Sequence, residues 1–584
     1  MKGFFNHVLA SMLGTFLIIV LIAIINVLIF AAVISVSENK VTISENSVLT
    51  LKFKNKIADK SSVKPDFSAM KLKKTLCLKG ITDAIQKAKN DNRIKGIYLD
   101  LSIMNVGIAS VEEIRNTLKD FKTSGKFIIA HSDFYTHKSY YLASIADKVY
   151  LTPTGAVQFS GLSAQLIYYK SLLDKLGLEP EIIRHGKFKS AVEPFMQNDI
   201  SPANKKQTQK YLSSIWNSIL KGISEERKIS VDELNKLADN LTVTGAESAK
   251  GARLVDDLKY EDEVFDELKQ KTGIDNDKKI NEISLSDYVN AEINTDEILN
   301  TKKENIAVIY AEGEIVDGEG TDEQIGSESL AKSIRKARED KSVKAVVLRI
   351  NSPGGSALAS EVIWRETVLT EKTKPLIVSM GNVAASGGYY IACNADVIVA
   401  EPNTITGSIG VFGLLFNAKN LLKNVGITIN TVNTNTYSDM GNPGRKMTDY
   451  EHGKILESIE EIYKTFITHV GKGRNLPVDS VDAIGQGRVW SGEDALNIGL
   501  VDTIGGLQNA VQIAAEKAGI EKYGIKIYPE KDKFSLILEN ILSDTKSSII
   551  KDELGEAFPY YEKLKAVKNI SGIQARIPYF IEMK

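Results

Sequence analysis

Cysteine is nearly absent from this chain, since only Cys77 and Cys393 occur among its 584 residues. Two cysteines cannot form a disulfide framework or a cysteine-rich zinc site. The six histidines are scattered and form no HExxH pattern, so the usual ligands of a metal enzyme are missing as well. We therefore predict no metal and no cofactor.

Net charge is lacking too, because 73 basic residues stand against 74 acidic ones and leave a formal charge of −1. Without a basic excess, no nucleic-acid partner is predicted. Hydrophobic residues make up 43% of the chain and charged residues 25%, which is typical of globular proteins. A chain of this length is too long for one hydrophobic core, so we expect two or more domains.

Charged side chains are also missing from residues 3–37. The apolar core of this run, residues 9–36, is longer than the roughly 20 residues needed to span a bilayer. It is too long for a cleaved signal peptide, whose apolar region has about 7–15 residues. We predict an uncleaved transmembrane anchor, and the positive-inside rule places Lys2 in the cytoplasm and the rest of the chain outside it.

The chain contains an internal repeat. Residues 95–189 align with residues 344–438 at a constant shift of 249 without a gap. KGIYLDLS aligns with KAVVLRIN, and SYYLASIADKVYLTP aligns with GYYIACNADVIVAEP. We predict an anchor, two copies of one domain and a C-terminal extension over residues 1–40, 41–302, 303–535 and 536–584, with the polar stretch 290–304 as the linker.

Each copy alternates short β-branched runs with helical stretches. Ile306–Tyr310, Ala345–Ile350 and Leu376–Ser379 are typical of buried parallel strands, and Glu361–Leu369 is typical of a helix between them. This alternation predicts an α/β fold with a helix-covered sheet in each copy.

Three glycine- and serine-rich motifs in the second copy indicate a site. NSPGGS at 351–356 and MGNVAASGGYYIACNAD at 380–396 each follow a predicted strand, and TITGSIG lies at 404–410. Ligands of open α/β sheets bind beyond the carboxyl ends of the strands. Ser386 would begin a helix, where a developing oxyanion is stabilised. A serine that only caps a helix is the alternative, but the Gly-Gly pair one strand earlier favours a catalytic role.

A serine nucleophile needs a base, and the repeat points to one. His137 replaces Ser386 in the first copy, whereas Lys189 of the first copy aligns with Ser438 of the second. The copies therefore divide a candidate site, with a lysine from one and a serine from the other. A lysine is a base only when neutral, which burial between the copies would favour by lowering its pKa.

The motifs NSPGGS, AASGGYYIA, TGSIG and KSAVEPF, on a duplicated chain with an apolar N-terminal run, resemble signal peptide peptidase A (protease IV) in its long two-domain form. The resemblance covers about residues 1–535. It implies tandem crotonase-like (Clp protease-like) α/β domains and a serine peptidase with a Ser–Lys dyad. Phe188 departs from the family pattern, which usually has tyrosine before the lysine.

Carried over by position, the resemblance implies Ser386 as nucleophile and Lys189 as general base. It implies the N–H groups of Gly355 and Gly387 as oxyanion donors, and Ser408 as the residue that orients the lysine. It further implies a homotetramer in the bacterial inner membrane, with its catalytic domains on the extracytoplasmic side. The expected substrates are hydrophobic peptides such as cleaved signal peptides.

Two other functions remain open from the sequence. A crotonase-fold acyl-CoA enzyme would share the fold and the glycine loop but would not need the Ser–Lys pair. An inactive scaffold would bind peptides without turning them over. Replacing Ser386 or Lys189 with alanine would separate these possibilities.

Overall fold

The computed structural model describes residues 3, 7, 10–22, 42–53, 55–60, 63–66, 71–275, 277–291, 304–321, 323–529 and 573–577. Residues 10–22, within the predicted anchor, are helical and mostly exposed. Apart from residues 3 and 7, the remainder of that anchor lies outside the described residues, as does most of the predicted linker 290–304. None of the described helices is long and apolar enough to cross a membrane.

A parallel sheet forms the centre of the first copy. Its neighbouring strands pair in parallel throughout, and their register follows the buried β-branched runs. In spatial order its strands are Asp257–Leu258, Lys148–Val157, Phe127–Tyr135, Ile94–Asp100, Ser47–Leu51 and Glu282–Ser284.

The second copy repeats this order. In its main sheet the successive strands are Val489–Ser491, Ile405–Gly407, Leu376–Ala385, Val343–Ser352, Asn305–Glu312 and Gly524–Tyr528. Two further strands lie off this row: Val397–Ala400 pairs with Leu376–Ala385, and Thr503–Ile504 pairs with Val397–Ala400. The predicted parallel strands are confirmed with wider bounds, and the strand predicted at Leu376–Ser379 continues to Ala385. Matching side-chain contacts recur, because Val149 N–H donates to Asp256 at 2.7 Å and Ile398 N–H, 249 positions on, donates to Asp502 at 2.7 Å.

A third sheet joins the two copies to the C-terminal extension. Its strands, in spatial order, are Gln324–Gly326, Glu314–Val316, Gly354–Ser356, Ile573–Arg576, Phe412–Asn417 and Glu179–Arg184. The Gly354–Ser356 segment, expected to be a loop, is therefore a strand. A separate antiparallel pair consists of Val63–Asp66 and Lys71–Lys74.

Helices cover both faces of each main sheet. In the first sheet, for example, Leu49 faces the larger core while Val48 packs toward Val264 and Leu268 on the opposite face. The predicted helix at 361–369 is confirmed within Ala357–Glu371. Beyond residues 10–22, the helices in the described part of the chain are Leu78–Asn90, Ile108–Lys122, His137–Ala143, Lys170–Leu176, Glu193–Met196, Pro202–Arg227, Val231–Asp239, Ala246–Gly251, Glu261–Thr272, Leu285–Ala291, Ser327–Glu339, Ala357–Glu371, Gly387–Tyr390, Lys419–Asn424, Asp449–Arg474, Val478–Ile484, Gly492–Asn497 and Leu507–Ala518, with a 3-10 turn at Ser190–Val192.

The two copies meet through a buried ion cluster. The guanidinium of Arg349, from the second copy, donates to Asp59 at 2.8 Å and to Glu113 at 2.5 Å, and both carboxylates belong to the first copy. Asn382 adds a neutral contact, because its amide donates to the Ser110 hydroxyl at 2.8 Å. These contacts hold together the two halves of the molecule on which the site depends.

Candidate active site at the junction of the two copies

Ser386 lies at the carboxyl end of the strand Leu376–Ala385 and directly precedes the helix Gly387–Tyr390. Its backbone adopts φ 55° and ψ −113°, a conformation that non-glycine residues rarely take. Its N–H donates to the Gly407 carbonyl at 2.8 Å, which helps to hold the sharp turn. The turn presents the hydroxyl beyond the strand end, where a ligand site was predicted.

Lys189 follows the strand Glu179–Arg184 and leads into the short turn Ser190–Val192. Its side chain is fully buried, and its Nζ lies 2.7 Å from the Ser386 Oγ. The structure therefore brings together two predicted site residues that are 197 positions apart in the chain. Lys187, the other lysine of this loop, is exposed.

The loop that carries Lys189 is fixed by residues that the sequence alone did not identify. The Gln207 amide donates to the Phe188 carbonyl at 3.1 Å and to the Ser190 hydroxyl at 2.8 Å. The same side chain accepts from the Val489 N–H at 3.2 Å, so it links the lysine loop to the second copy. A Cβ on Gly487 would lie 2.6 Å from the Lys189 backbone, so only glycine allows this close approach.

Ser408 is the third polar group at the site. Its Oγ lies 3.2 Å from the Lys189 Nζ and its carbonyl oxygen lies 3.3 Å from the same atom. Its backbone also has a positive φ of 51°, held in part by an N–H bond of 2.7 Å to the Arg488 carbonyl. The predicted lysine-orienting residue therefore contacts the amine through two oxygens.

Burial lowers the pKa of Lys189 well below its ordinary value, because an ammonium loses hydration there. Part of the surrounding wall is apolar, and the Phe412 ring centroid lies 6.0 Å from the Nζ. The Glu193 carboxylate would raise the pKa of Lys189 if the two paired, but it is bound by other residues. Its carboxylate accepts from Ser201 Oγ at 2.6 Å and from the Asn204 amide at 2.9 Å.

The two predicted oxyanion donors, Gly355 and Gly387, lie on adjoining segments. A Cβ on Gly387 would be 3.2 Å from the Gly354 Cα, and one on Gly354 would be 2.7 Å from the Gly387 nitrogen. The Gly-Gly strand and the start of the helix after Ser386 are thus packed as closely as backbones without side chains allow.

The corresponding place in the first copy has no such chemistry. His137 is buried there, and its Nε2 accepts from the Ser160 N–H at 3.1 Å. Burial lowers the pKa of His137 to about 4, so this ring is neutral at physiological pH. Ser438, the second-copy counterpart of Lys189, is exposed. Each copy has kept only its own part of the pair.

Other residues near the motif serve packing. Tyr389 and Tyr390 are buried, and the Tyr389 hydroxyl donates to the Leu500 carbonyl at 2.9 Å. Burial raises the pKa of the Cys393 thiol to about 12, which keeps it protonated and unreactive. Within the described part of the chain, no three His, Cys, Asp or Glu side chains are grouped as metal ligands would be.

Comparisons with known proteins connect this geometry to a family. The model of peptidase family S49 matches the chain twice, at residues 120–275 and 369–521, once in each copy. Protease 4 of Haemophilus influenzae is 39% identical over 486 residues, which cover 79% of this chain and 77% of that protein. The chloroplastic serine protease SPPA of Arabidopsis thaliana is 35% identical over 513 residues, which cover 87% and 74%.

Among solved structures, a mutant ClpP1 from Listeria monocytogenes matches at a TM-score of 0.24 and 14% identity, over 35% of this chain and 94% of that one. The crotonase-like form of the fold stays a prediction. The tandem α/β domains and the similarity to Protease 4 and SPPA agree with the sequence motifs. The chain therefore belongs to peptidase family S49 and is a serine peptidase.

Proposed function

We propose that this peptidase uses Ser386 as nucleophile and Lys189 as general base, and that it hydrolyses hydrophobic peptides at a membrane. The observation that carries the assignment is the 2.7 Å separation of the Lys189 Nζ and the Ser386 Oγ in a fully buried setting. A neutral amine at this distance is placed to accept the hydroxyl proton.

The proton then follows a short route. As the Ser386 oxygen attacks the peptide carbonyl carbon, Lys189 takes the hydroxyl proton and afterwards transfers it to the leaving amine. Ser408, which contacts the Lys189 nitrogen through its Oγ and carbonyl oxygens, holds the lone pair toward Ser386. Water then hydrolyses the acyl-enzyme in the same way. Lys189 takes a proton from the attacking water and returns it to the Ser386 oxygen.

The N–H groups of Gly355 and Gly387 are the proposed donors to the oxyanion. Their segments adjoin at the carboxyl ends of two neighbouring strands, Val343–Ser352 and Leu376–Ala385. Backbone donors in a preorganised, dry site stabilise a tetrahedral intermediate without reorganising during the reaction.

A serine-directed fluorophosphonate tests the pair directly. We expect the reagent to label Ser386, as found by mass spectrometry of the digested protein, and the label to be lost in Lys189→Ala. Lys187→Ala is the matched control, because this exposed lysine is two positions away, and it should keep the label. Labelling of another serine, or full labelling of Lys189→Ala, would refute the assignment.

The membrane anchor is part of the proposal. The uncharged run at residues 3–37 supports it, as does the match of its length to a bilayer. A single anchor with the N-terminus inside places both copies outside the cytoplasm of a bacterial cell, close to signal peptides left in the membrane. Retention of the protein in membranes washed with alkaline carbonate measures anchoring. Protease added to intact spheroplasts shows on which side of the membrane the two copies lie, because it digests only what is outside the cytoplasm. A protein that is digested only after lysis would contradict the proposed orientation.

We further propose a homotetramer and a preference for apolar peptides, both implied by the family resemblance. The apolar wall around Phe412 and Leu414 beside Lys189 supports the second part. Two peptides that differ only in a leucine or a glutamine near the scissile bond test this preference. The leucine peptide should have the higher kcat/KM. Light scattering in detergent gives the number of chains.

A further inference from the structure

A tight turn of the second copy, residues 485–488, contacts the backbone on both sides of the proposed base. The Gln486 carbonyl accepts from the N–H of Phe188, the residue before the lysine, at 3.0 Å. The Arg488 carbonyl accepts from the Ser408 N–H at 2.7 Å. The turn therefore holds the lysine loop of the first copy and the serine that contacts the lysine amine.

The backbone of this turn is strained, and its neighbours enforce its shape. Gln486 and Gly487 have consecutive positive φ angles of 53° and 83°. The Gln486 N–H donates to the Tyr463 hydroxyl at 3.1 Å, and the Gly487 N–H donates to the Ile409 carbonyl at 2.7 Å. Because a Cβ on Gly487 would lie only 2.6 Å from the Lys189 backbone, any shift of the turn must move the lysine.

The Arg488 side chain lies between two aromatic rings. Its guanidinium carbon is 5.1 Å from the centroid of the Phe188 ring in the first copy and 4.1 Å from that of the Trp490 ring in the second. Trp490 is itself fixed, since it is buried and its Nε1 donates to the Ile484 carbonyl at 3.0 Å. The guanidinium is thus stacked across the junction of the two copies, beside the lysine loop.

This arginine has no ionic partner within the part of the chain that the structure describes. Its Nε is buried and has no hydrogen-bond acceptor there. Burial lowers the pKa of Arg488, because its charge loses hydration. Contact with the two ring faces offsets that loss, and a planar guanidinium stacks on such faces in a way that a lysine ammonium does not. Arg488 is therefore placed for stacking and not for ion pairing.

We propose that Arg488 is a positioning residue for Lys189. Stacked between Phe188 and Trp490, its side chain holds the turn 485–488 against the lysine loop and so fixes the place of the Lys189 Nζ. The inference rests on the proposed function, because the position of this amine matters to the reaction only if Lys189 is the base.

The geometry of the lysine explains why its rate should depend on the turn. The Nζ of Lys189 lies 2.7 Å from the Ser386 Oγ and 3.2 Å from the Ser408 Oγ, and a misplaced reacting group costs rate steeply. A loosened loop would also admit water, which raises the pKa of a buried amine toward its ordinary value. Loss of the stack should therefore slow the reaction and raise the pH of half-maximal rate.

Labelling of Ser386 by a small fluorophosphonate, followed over a series of pH values, tests the role of Arg488. Arg488→Met removes the cation, and Arg488→Lys keeps the charge but not the planar stack. Each should slow the labelling roughly tenfold, about 1.4 kcal/mol in the barrier, and shift the pH of half-maximal rate upward. Phe188→Leu should act in the same direction, whereas Phe188→Tyr keeps an aromatic ring and should retain most of the rate.

The double variant Phe188→Leu with Arg488→Met tests whether the two side chains act as one unit. Effects of residues in direct contact do not add, so the double variant should label about tenfold more slowly than the unaltered protein, like Arg488→Met alone. A loss of roughly a hundredfold, the product of two independent tenfold effects, would overturn the inference.

Lys454→Met is the matched control, because it removes an exposed cation that lies 5.7 Å from the Tyr450 ring centroid. It should change neither the labelling rate nor its pH profile. Arg488 variants that label like the unaltered protein, or that lose apparent Tm without a shift in the pH of half-maximal rate, would overturn the positioning role and leave the proposed function standing. An unaltered protein whose Ser386 takes no label would refute the proposed function itself.

Discussion

Strained backbone and a buried amine occur together at the candidate site. Ser386 and Ser408 both have a positive φ, and they are the two serines that contact the Lys189 nitrogen. Conformations of this kind cost about 1–3 kcal/mol each and persist only where the surroundings enforce them. The hydroxyl positions are therefore set by the fold of the second copy, before any substrate binds.

Lys189→Met should abolish peptidase activity and raise the apparent Tm at neutral pH. The pKa of Lys189 is well below its ordinary value of 10.5 in the folded chain, so between the two values only the unfolded chain carries the proton. The free energy of unfolding therefore decreases as the pH falls from about 10.5 toward the pKa that Lys189 has in the folded chain. The loss of stability amounts to about 1.4 kcal/mol for each pH unit crossed in this window.

Thermal scans of both proteins between pH 7 and 10 measure this effect. The gain in apparent Tm for Lys189→Met should shrink as the pH rises, because the unfolded lysine loses its proton there. In the unaltered enzyme, kcat/KM should rise with pH through the lowered pKa of Lys189. A methionine variant less stable at pH 7 than the original protein would argue against a neutral buried amine.

Ser408→Ala tests a positioning role. The substitution removes the Oγ at 3.2 Å from the Lys189 Nζ but leaves the Ser408 carbonyl at 3.3 Å. We expect kcat to fall by roughly 10–100-fold, about 1.4–2.7 kcal/mol of transition-state stabilisation, with KM little changed. The pH of half-maximal rate should also shift, which a purely structural loss would not cause.

At the scale of whole elements, the contact between the copies depends on Arg349. Its strand, Val343–Ser352, is the second copy's counterpart of Ile94–Asp100, and its guanidinium reaches two carboxylates of the first copy. Glu401 lies in the same buried region, and burial, with Glu113 nearby, raises its pKa well above the ordinary value. Burial thus disfavours the charged form of the Glu401 carboxyl group.

Arg349→Met should strongly destabilise this interface. It removes the cation from the buried carboxylates Asp59 and Glu113, and breaking a buried ion pair from one side costs about 3–5 kcal/mol. A large fall in apparent Tm and faster limited proteolysis are expected. Arg253→Met, which breaks an exposed pair with Glu233, is the control and should cost at most about 1 kcal/mol. Equal behaviour of the two variants would contradict this account of the interface.

The sequence predicts some of these elements well and others not at all. The strands at Ala345–Ile350 and Leu376–Ser379 were recognisable because their apolar runs are local, and the repeat indicated the pairing of Lys189 with Ser386. The strand Gly354–Ser356 looked like a loop, since its partner Ile573–Arg576 lies more than 200 residues later. Gln207 gave no signal, because its role arises only when a helix of the first copy meets the second.

Across the whole molecule, duplication has produced one site from two folds. The first copy keeps the sheet and the buried aromatic residues but has His137 where the second has Ser386, and it contributes the lysine across the junction. In the proposed mechanism the two halves are needed together, and the buried contacts of Arg349 with Asp59 and Glu113 join them. Either copy alone would contain one half of the proposed catalytic pair.

This arrangement predicts how mixed assemblies behave. Ser386→Ala and Lys189→Ala chains, coexpressed and purified together through different tags, should hydrolyse peptides no faster than either variant alone. The reason is that the Lys189 Nζ and the Ser386 Oγ that lie 2.7 Å apart belong to one chain, so no neighbour can supply the missing partner. A mixed assembly with a clearly measurable fraction of the unaltered activity would mean that the lysine reaches the serine of another copy.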